Sequence, residues 1–97
     1  MISSFRHRGL RFFYERGTTR YLRAEQVRRI RRILGLLDVV SGPKSLDLPG
    51  MRLHALKGDL DGFWAVNVSG NWRVIFRFDD ESSDETMVCD VDLVDYH

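Results

Sequence analysis

The stretch FWAVNVSGNWRVIFRF, residues 63–78, decides the fold. Two runs rich in β-branched and aromatic residues, 63–68 and 72–78, flank the polar triplet Ser69-Gly70-Asn71. Such residues favour the pleated, half-buried surface of a strand, and a short polar loop that contains glycine is typical of a hairpin. We therefore predict an antiparallel β-hairpin at this point in the chain.

The strand after the hairpin loop alternates in character with a period of two, which is the period of a sheet with two different faces. One predicted face carries Trp72, Val74, Phe76 and Phe78, and the other carries Arg73, Ile75 and Arg77. The first of these faces is therefore expected to lie on the core.

A further strand is predicted over residues 87–94, after an acidic turn at 79–85. Its alternation predicts one face with Met87, Cys89, Val91 and Leu93, and an opposite face with Val88, Asp90, Asp92 and Val94. In the simplest sheet, Arg73 and Arg77 then lie near Asp90 and Asp92. Such cross-strand ion pairs stabilise a surface only weakly.

Two helices are predicted before the hairpin. Leu10, Phe13 and Tyr14 share one face of a helix over 8–16, which Gly17 is expected to end. A second helix is expected over 23–41, from an apolar stripe with spacings of three and four: Val27, Ile30, Leu34 and Leu37. The sequence Ser41-Gly42-Pro43 ends it, because proline cannot continue a helix.

Shorter strands are expected at residues 2–6 and 51–56, with loops at 43–51 and 57–62. The chain has 97 residues, which suffices for one domain with a single core. The predicted fold is α+β, in which two N-terminal helices pack on a small antiparallel β-sheet.

The charge is distributed unevenly along the chain. Residues 1–34 contain ten arginines and two glutamates, whereas the rest of the chain is acidic. An arginine-rich half indicates an anionic partner, with nucleic acid as the first candidate, since arginine forms bidentate contacts to phosphate and stacks on bases. A solvated helix face that balances the acidic half explains the same pattern.

Several classes of function are disfavoured. The single cysteine, Cys89, cannot form an intramolecular disulfide, and no apolar run has the length of a membrane span, so we expect a soluble cytoplasmic protein. His54, Asp95 and His97 could ligate a metal, but no metal-binding spacing is present, and glycine-rich nucleotide motifs are also absent. We therefore expect neither a metal nor a cofactor.

The chain ends on Asp95-Tyr96-His97, three side chains that can transfer protons or form hydrogen bonds, directly after a predicted strand. Together with His54, they suit RNA cleavage by the 2′-hydroxyl. That reaction needs a base, an acid and cations at the phosphate. Histidine suits the first two roles, Lys57 and Arg73 suit the third, and Tyr96 can stack on a base.

Each of these residues also has a purely structural explanation. His54 could be half-buried and hydrogen-bonded, Tyr96 could cover the sheet edge, Asp95 could cap a turn, and His97 could be a frayed tail. Strand alternation alone does not show that His54 and His97 meet.

An ordered set of blocks resembles the HigB-type toxins of the RelE/ParE superfamily of bacterial toxin–antitoxin pairs. The blocks are MISSFRHRGL (1–10), LHALKGD (53–59), GFWAV (62–66), NWRVIF (71–76) and the terminal DYH (95–97). The order of the blocks is specific, although any one of them alone is weak. The resemblance covers essentially the whole chain.

This resemblance implies a RelE-like, microbial-RNase-like α+β fold and a ribosome-dependent endoribonuclease that cuts mRNA in the A site. It also implies a catalytic group of His54, Asp95, Tyr96 and His97, with Lys57, Asn71 and Arg73 near the phosphate path. The implied partner is a helix-turn-helix antitoxin of the HigA type. Two other functions remain open: a non-nuclease toxin that acts on DNA gyrase, as ParE proteins do, and a scaffold that only binds antitoxin.

Overall fold

Two α-helices lie against one face of a four-stranded antiparallel sheet in a computed structural model that describes residues 1–79 and 86–96. The helices are α1 (Arg8–Arg16) and α2 (Ala24–Asp38), and the strands are β1 (His54–Ala55), β2 (Trp64–Ser69), β3 (Trp72–Asp79) and β4 (Met87–Asp95). The sheet order is β1-β2-β3-β4. The predicted α+β arrangement is confirmed.

The hairpin predicted from residues 63–78 is the β2–β3 pair. Trp64 pairs with Phe76 at one end, and Ser69 pairs with Trp72 at the other, so Gly70 and Asn71 form the turn. Gly70 has a φ of 52°, the left-handed region that glycine enters at little cost. A bulge between Asn67 and Ser69 shifts the register just before the turn.

Helix α1 begins and ends at the predicted residues. The Nδ1 atom of His7 accepts the backbone N–H of Leu10 at 3.1 Å and so caps the first turn. At the other end, Gly17 adopts a left-handed φ of 73° and donates its N–H to the carbonyl of Phe13 at 2.9 Å. Glycine is suited to this position because a Cβ atom would strain it.

Helix α2 ends at Asp38, three residues before the predicted end at 41. The next residues tighten the last turn, since Val39 donates to Leu36 and Val40 donates to Leu37. Val40 is nevertheless buried. The apolar stripe therefore continues past the helix, and the prediction confused burial with helical conformation.

Strand β1 is also shorter than the predicted strand at 51–56. Arg52 has a φ of 50°, which interrupts the extended backbone before His54. Instead of pairing along its length, the segment is held by a bond from the N–H of Asn67 to the carbonyl of Met51 at 2.8 Å. The loops on either side contain short 3₁₀ turns, Pro43–Leu46 and Gly58–Leu60.

The alternation predicted for the last strand is wrong at its centre. Between β3 and β4, Ile75 pairs with Asp92 but Arg77 pairs with Cys89, so β4 carries one extra residue. Asp90 lies in this bulge with a φ of 54°. Because the bulge reverses the alternation, Cys89 faces away from the helices, whereas Val88, Val91 and Leu93 join the main core.

The N-terminal segment lies along the outer edge of β4, close to the predicted edge strand at 2–6. Ile2 and Phe5 form isolated parallel bridges with Val88 and Val91. The main core fills the layer between the helices and the sheet. Among the described residues, no helix is both long and apolar enough to cross a membrane.

Candidate active site on the open face of the sheet

The face of the sheet turned away from α1 and α2, here called the open face, carries a row of residues from all four strands. His54 pairs with Ala65, Ala65 with Ile75, and Ile75 with Asp92. Paired residues in neighbouring strands point to the same face. His54 and Asp92 therefore lie at opposite ends of one row, with an apolar centre between them.

A second row on the open face lies nearer to the hairpin turn and consists of Asn67, Arg73 and Val94. The Nη1 atom of Arg73 donates to Asn67 Oδ1 at 2.6 Å, to the carbonyl of Gly70 at 2.7 Å and to the carbonyl of Trp72 at 3.0 Å. The turn thus holds the guanidinium on this face of the sheet.

The C-terminal residues are attached to the same turn. Asp95 pairs with Trp72, and Tyr96 donates its backbone N–H to the carbonyl of Asn71 at 2.8 Å. Tyr96 is 46% exposed, and the alternation of β4 continued by one residue directs it to the open face, beside Arg73. His97 lies outside the described residues.

Asp95 falls on the other side of the sheet from Tyr96. Its cross-strand partner, Trp72, packs against the main core on the helix-facing side, and paired side chains share a face. The Asp95 side chain is thus placed away from the open face.

His54 is exposed, so the structural explanation of a half-buried histidine is wrong about burial, although the ring is hydrogen-bonded as that explanation supposed. Its Nδ1 atom lies 2.9 Å from the carbonyl oxygen of Arg52. A carbonyl oxygen can only accept, so Nδ1 donates this bond, and the lone pair of the ring, when it has one, is on Nε2. That neutral tautomer is the one a general base needs.

The predicted site residues occupy two regions of the open face. Strands lie roughly 4.8 Å apart and residues rise roughly 3.3 Å, so the Cα atoms of Arg73 and Tyr96 are about 8 Å apart in a flat sheet. On the same geometry, His54 lies on the order of 12 Å from Arg73 and 20 Å from Tyr96. Lys57 is exposed just beyond β1, at the His54 edge.

A small apolar cluster forms the floor between these regions. The loop after β1 folds onto the open face, and Leu56, Phe63, Ala65 and Ile75 are buried together there. The loop is closed by a hydrogen bond from the Leu56 N–H to the Phe63 carbonyl at 2.9 Å. The open face is thus a packed surface with polar groups at its margins.

Sequence reasoning did not single out Arg6 for this face. Its guanidinium carbon lies 4.9 Å from the centre of the Phe63 ring, and its Nε lies 4.0 Å from Asp90. Arg77 pairs with the same carboxylate at 2.6 Å, as predicted, whereas the expected pairing of Arg73 with an aspartate is replaced by its bonds at the turn. Arg6 reaches this face because residues 2–5 lie parallel to β4, and a pairing between such distant parts of the chain cannot be read from the residues around Arg6.

Two titratable groups near the open face are shifted by burial. Burial lowers the pKa of His7 despite the opposing charge of Asp92, and its capping bond uses the neutral ring. Burial also raises the pKa of the Cys89 thiol, against the opposing effect of Arg77. Cys89 is therefore protonated at neutral pH and poorly suited to act as a nucleophile. Within residues 1–79 and 86–96, no group of three potential ligands could hold a metal ion.

Comparison with known proteins agrees with this architecture. Residues 3–97 match the model of the family described as the RelE-like toxin of type II toxin–antitoxin system HigB. The Endoribonuclease HigB of Proteus vulgaris is 40% identical over 78 residues, which cover 80% of this chain and 85% of that protein.

Solved structures share the fold at low sequence identity. A YoeB/ParE toxin from Agrobacterium tumefaciens superposes with a TM-score of 0.60 at 16% identity, over 91% of this chain and 86% of that one. The YoeB–YefM complex from Staphylococcus aureus superposes with a TM-score of 0.55 at 16% identity, over 100% of this chain and 95% of that one. YafQ from E. coli strain BL21(DE3) superposes with a TM-score of 0.55 at 15% identity, over 94% of this chain and 89% of that one. The predicted RelE-like fold is confirmed, and the chain belongs to the HigB-like family of toxins.

Proposed function

We propose that this member of the HigB-like toxin family is an endoribonuclease that cleaves mRNA in the ribosomal A site. The observation that supports the proposal is the open face, which carries His54 at the β1 edge and Arg73 with Tyr96 near the hairpin turn. The relative from Proteus vulgaris, which is named an endoribonuclease, supports the reaction class.

The proposed chemistry is an internal transfer at phosphorus. A base removes the proton of the 2′-hydroxyl, the 2′-oxygen attacks the adjacent phosphorus, and the bond to the 5′-oxygen breaks. The products are a 2′,3′-cyclic phosphate and a 5′-hydroxyl, which takes its proton from an acid. Because side chains alone can carry out each proton transfer, no metal ion or cofactor is required.

His54 and His97 supply the base and the acid in this proposal. His54 is exposed, and its Nδ1 bond to the Arg52 carbonyl leaves Nε2 as the atom that can accept a proton. Arg73 and Lys57 stabilise the negative charge that grows on the phosphate, and Asn71 contributes from the β2–β3 turn near Arg73. Tyr96 stacks on a base or donates a hydrogen bond. Asp95 is assigned to hold the end of β4, since its pairing with Trp72 directs it to the helix side.

Ribosome binding is assigned to a cluster here called the arginine–aromatic surface, which consists of Arg11, Phe12, Arg16, Arg20 and Tyr21. The guanidinium carbons of Arg11 and Arg16 lie 5.2 and 5.0 Å from the centre of the Phe12 ring. Arg20 lies 5.6 Å from the centre of Tyr21, whose ring is 5.5 Å from that of Phe12. Stacked guanidinium groups keep their N–H edges available for RNA phosphates, and Tyr21 is 53% exposed for base stacking.

The arginine–aromatic surface continues toward the candidate active site. Arg23 follows Tyr21 in the loop before α2, and its guanidinium carbon lies 4.9 Å from the centre of a Trp72 ring. Trp72 in turn pairs with Asp95 at the end of β4. Arg23 and Trp72 thus extend this surface toward the hairpin turn and the end of β4.

A helix-turn-helix antitoxin is the proposed protein partner, with the exposed arginines of α2 as its docking surface. Arg28 and Arg32 are one turn apart on the exposed side of α2 and border a cleft that also includes Glu25 and Arg29. An acidic antitoxin segment complements this charge. The toxin would act in the cytoplasm, where ribosomes and mRNA are located.

The proposal is tested by inducing the parent chain and the His97→Ala variant in cells and mapping transcript ends at codon resolution. The parent is expected to arrest growth and to produce cuts within codons of translated messages, whereas His97→Ala leaves messages intact. Cuts by His97→Ala at the parental rate would exclude the site assignment. Growth arrest with intact messages and blocked supercoiling by gyrase would replace the nuclease with the gyrase mechanism.

A further inference from the structure

The guanidinium of Arg73 is held at one nitrogen, Nη1, by three hydrogen-bond acceptors. Asn67 Oδ1 and the carbonyls of Gly70 and Trp72 all lie within 3.0 Å of the single atom Nη1. That nitrogen carries two N–H groups, so at least one of them is shared between acceptors. Among the described residues, Nε and Nη2 have no hydrogen-bond partner, and they form a free donor edge.

Asn67 is the one side chain among these three acceptors, and its own backbone is anchored on both sides. Its N–H donates to the carbonyl of Met51 at 2.8 Å, and its carbonyl accepts from Arg29 Nε at 3.2 Å. Arg29 also reaches the carbonyl of Gly50 at 2.5 Å through Nη2. The loop before β1 and helix α2 thus fix the position from which Asn67 meets Arg73.

Asn67 lies opposite Arg73 in the last regular pair before the bulge at the end of β2. Asn67 pairs with Arg73, but the register then shifts, and the next pair is Ser69 with Trp72. The two side chains share the open face and lie directly opposite each other, at the separation where cross-strand side chains interact. An amide oxygen accepts a hydrogen bond without neutralising the positive charge of the guanidinium, as an aspartate would.

We propose that Asn67 is a positioning residue that aims the free Nε–Nη2 edge of Arg73 at the scissile phosphate. This inference rests on the proposed nuclease function and adds a residue to it. A guanidinium presents two parallel N–H groups that match two phosphate oxygens, but only when the plane of the group is correctly oriented. Asn67 fixes that plane before RNA binds, so the ordering cost is not incurred at each turnover.

The test is a double-mutant cycle on cleavage rate in a translating extract, with Asn67→Ala, Arg73→Ala and the double variant. A hydrogen bond to a charged group contributes enough that Asn67→Ala should reduce the rate by about tenfold to a hundredfold. In the Arg73→Ala background, the same change should reduce it less than twofold, because no guanidinium remains to be positioned.

Ser69→Ala is the matched control, since it breaks a different side-chain bond of this hairpin, from Gln26 Nε2 to Ser69 Oγ at 3.1 Å. It is expected to leave the cleavage rate within twofold in both backgrounds. Equal losses from Asn67→Ala with and without Arg73 would show a merely structural effect and overturn the proposal. Parental activity of Asn67→Ala would overturn it as well.

A second measurement does not depend on nuclease activity. In the parent, ¹⁵N NMR of the Arg73 guanidinium is expected to show separate Nη1 and Nη2 signals, because rotation about the Nε–Cζ and Cζ–Nη bonds is restricted. In Asn67→Ala, where only the carbonyls of Gly70 and Trp72 still accept from Nη1, exchange between those signals should be faster. If the parent cleaves nothing but the signals behave in this way, the proposed function fails and the positioning role stands. Merged signals in the parent would overturn the positioning role even if cleavage is observed.

Discussion

Tyr96 donates its backbone N–H to the carbonyl oxygen of Asn71 at 2.8 Å, which attaches the residue after β4 to the β2–β3 turn. The same turn provides two of the carbonyls that hold Arg73. The proposed phosphate-binding group and the proposed catalytic terminus are therefore positioned by one short segment. Asp95 and Tyr96 are thereby held in place by backbone pairing, whereas chain ends generally fray.

Deletion of residues 95–97 is expected to abolish cleavage and to lower the free energy of unfolding by only about 1–2 kcal/mol. The deletion removes the Asp95–Trp72 pairing and the Tyr96–Asn71 bond, and a net hydrogen bond contributes roughly 1 kcal/mol. Urea unfolding and cleavage assays check this. Tyr96→Phe is the control, since it keeps the backbone bond and should leave stability unchanged. Full activity of the deleted chain would rule out the terminus as part of the site.

His54→Ala is expected to reduce cleavage by about 10²- to 10⁴-fold, the usual contribution of a general acid or base. Its effect on stability should stay within about 0.5 kcal/mol, because the ring is exposed and its recorded bond is to the carbonyl of Arg52. Cleavage rates and urea midpoints measured on the same preparation separate the two effects. If His54→Ala lowered the urea midpoint enough to account for the lost cleavage, His54 would be a structural residue and not a catalytic one.

The free energy of unfolding is expected to fall as the pH drops below about 6.5, owing to His7. Burial lowers its folded pKa below the ordinary value of 6.5, so the unfolded chain binds a proton that the folded chain does not. The contribution of His7 is complete above pH 6.5. Below pH 6.5 this contribution to the free energy of unfolding declines. Its slope is smaller than the ~1.4 kcal/mol per pH unit that corresponds to the uptake of one full proton.

His7→Asn isolates this effect, because asparagine also caps a helix but does not titrate in this range. The difference in urea midpoint between the parent and His7→Asn should change between pH 7.5 and pH 5.5, with the parent losing more. The charge of Asp92 raises the pKa of His7 and so opposes the effect of burial. The Asp92→Asn variant should therefore lose more stability than the parent over the same pH range. Parallel pH profiles for the parent and His7→Asn would contradict the assignment.

Asp90→Val is expected to destabilise the fold by about 1–2 kcal/mol more than Asp90→Asn. The bulge holds Asp90 at a φ of 54°, which asparagine adopts readily and a β-branched residue does not. Both variants lose the ion pair to Arg77, a surface contribution below about 1 kcal/mol that cancels in the comparison. Equal urea midpoints would mean that the bulge relaxes when residue 90 is changed.

Replacement of Arg16 and Arg20 by glutamine is expected to weaken ribosome binding and to reduce its dependence on salt. Each lost phosphate contact should lower the slope of log affinity against log salt by about one. Sedimentation with ribosomes over a range of salt concentrations measures that slope. Arg28→Gln with Arg32→Gln on α2 removes the same charge elsewhere and should leave the slope unchanged. Equal effects of the two pairs would show that net charge alone drives binding.

The sequence by itself determined those features that depend on neighbouring residues. The hairpin at 63–78, the start of α1, its end at Gly17 and the α+β class all follow from periodicity, capping and turn chemistry, which act over a few residues. The block pattern also led to His54, Asp95, Tyr96 and His97, and to Lys57, Asn71 and Arg73, before any geometry was known. His97 lies outside the described residues, so its position stays a prediction.

The tertiary structure decided which of these residues meet. The bulge at Asp90 put Val88 and Cys89 on the faces opposite to those predicted. The left-handed Arg52 shortened β1. Both features depend on strand partners far away in sequence. The bond between Asn67 and Arg73 depends on register, and nothing local to either residue specifies it. The sequence determines which chemical groups are present, but the pairing between strands determines which of them lie together on one face of the sheet.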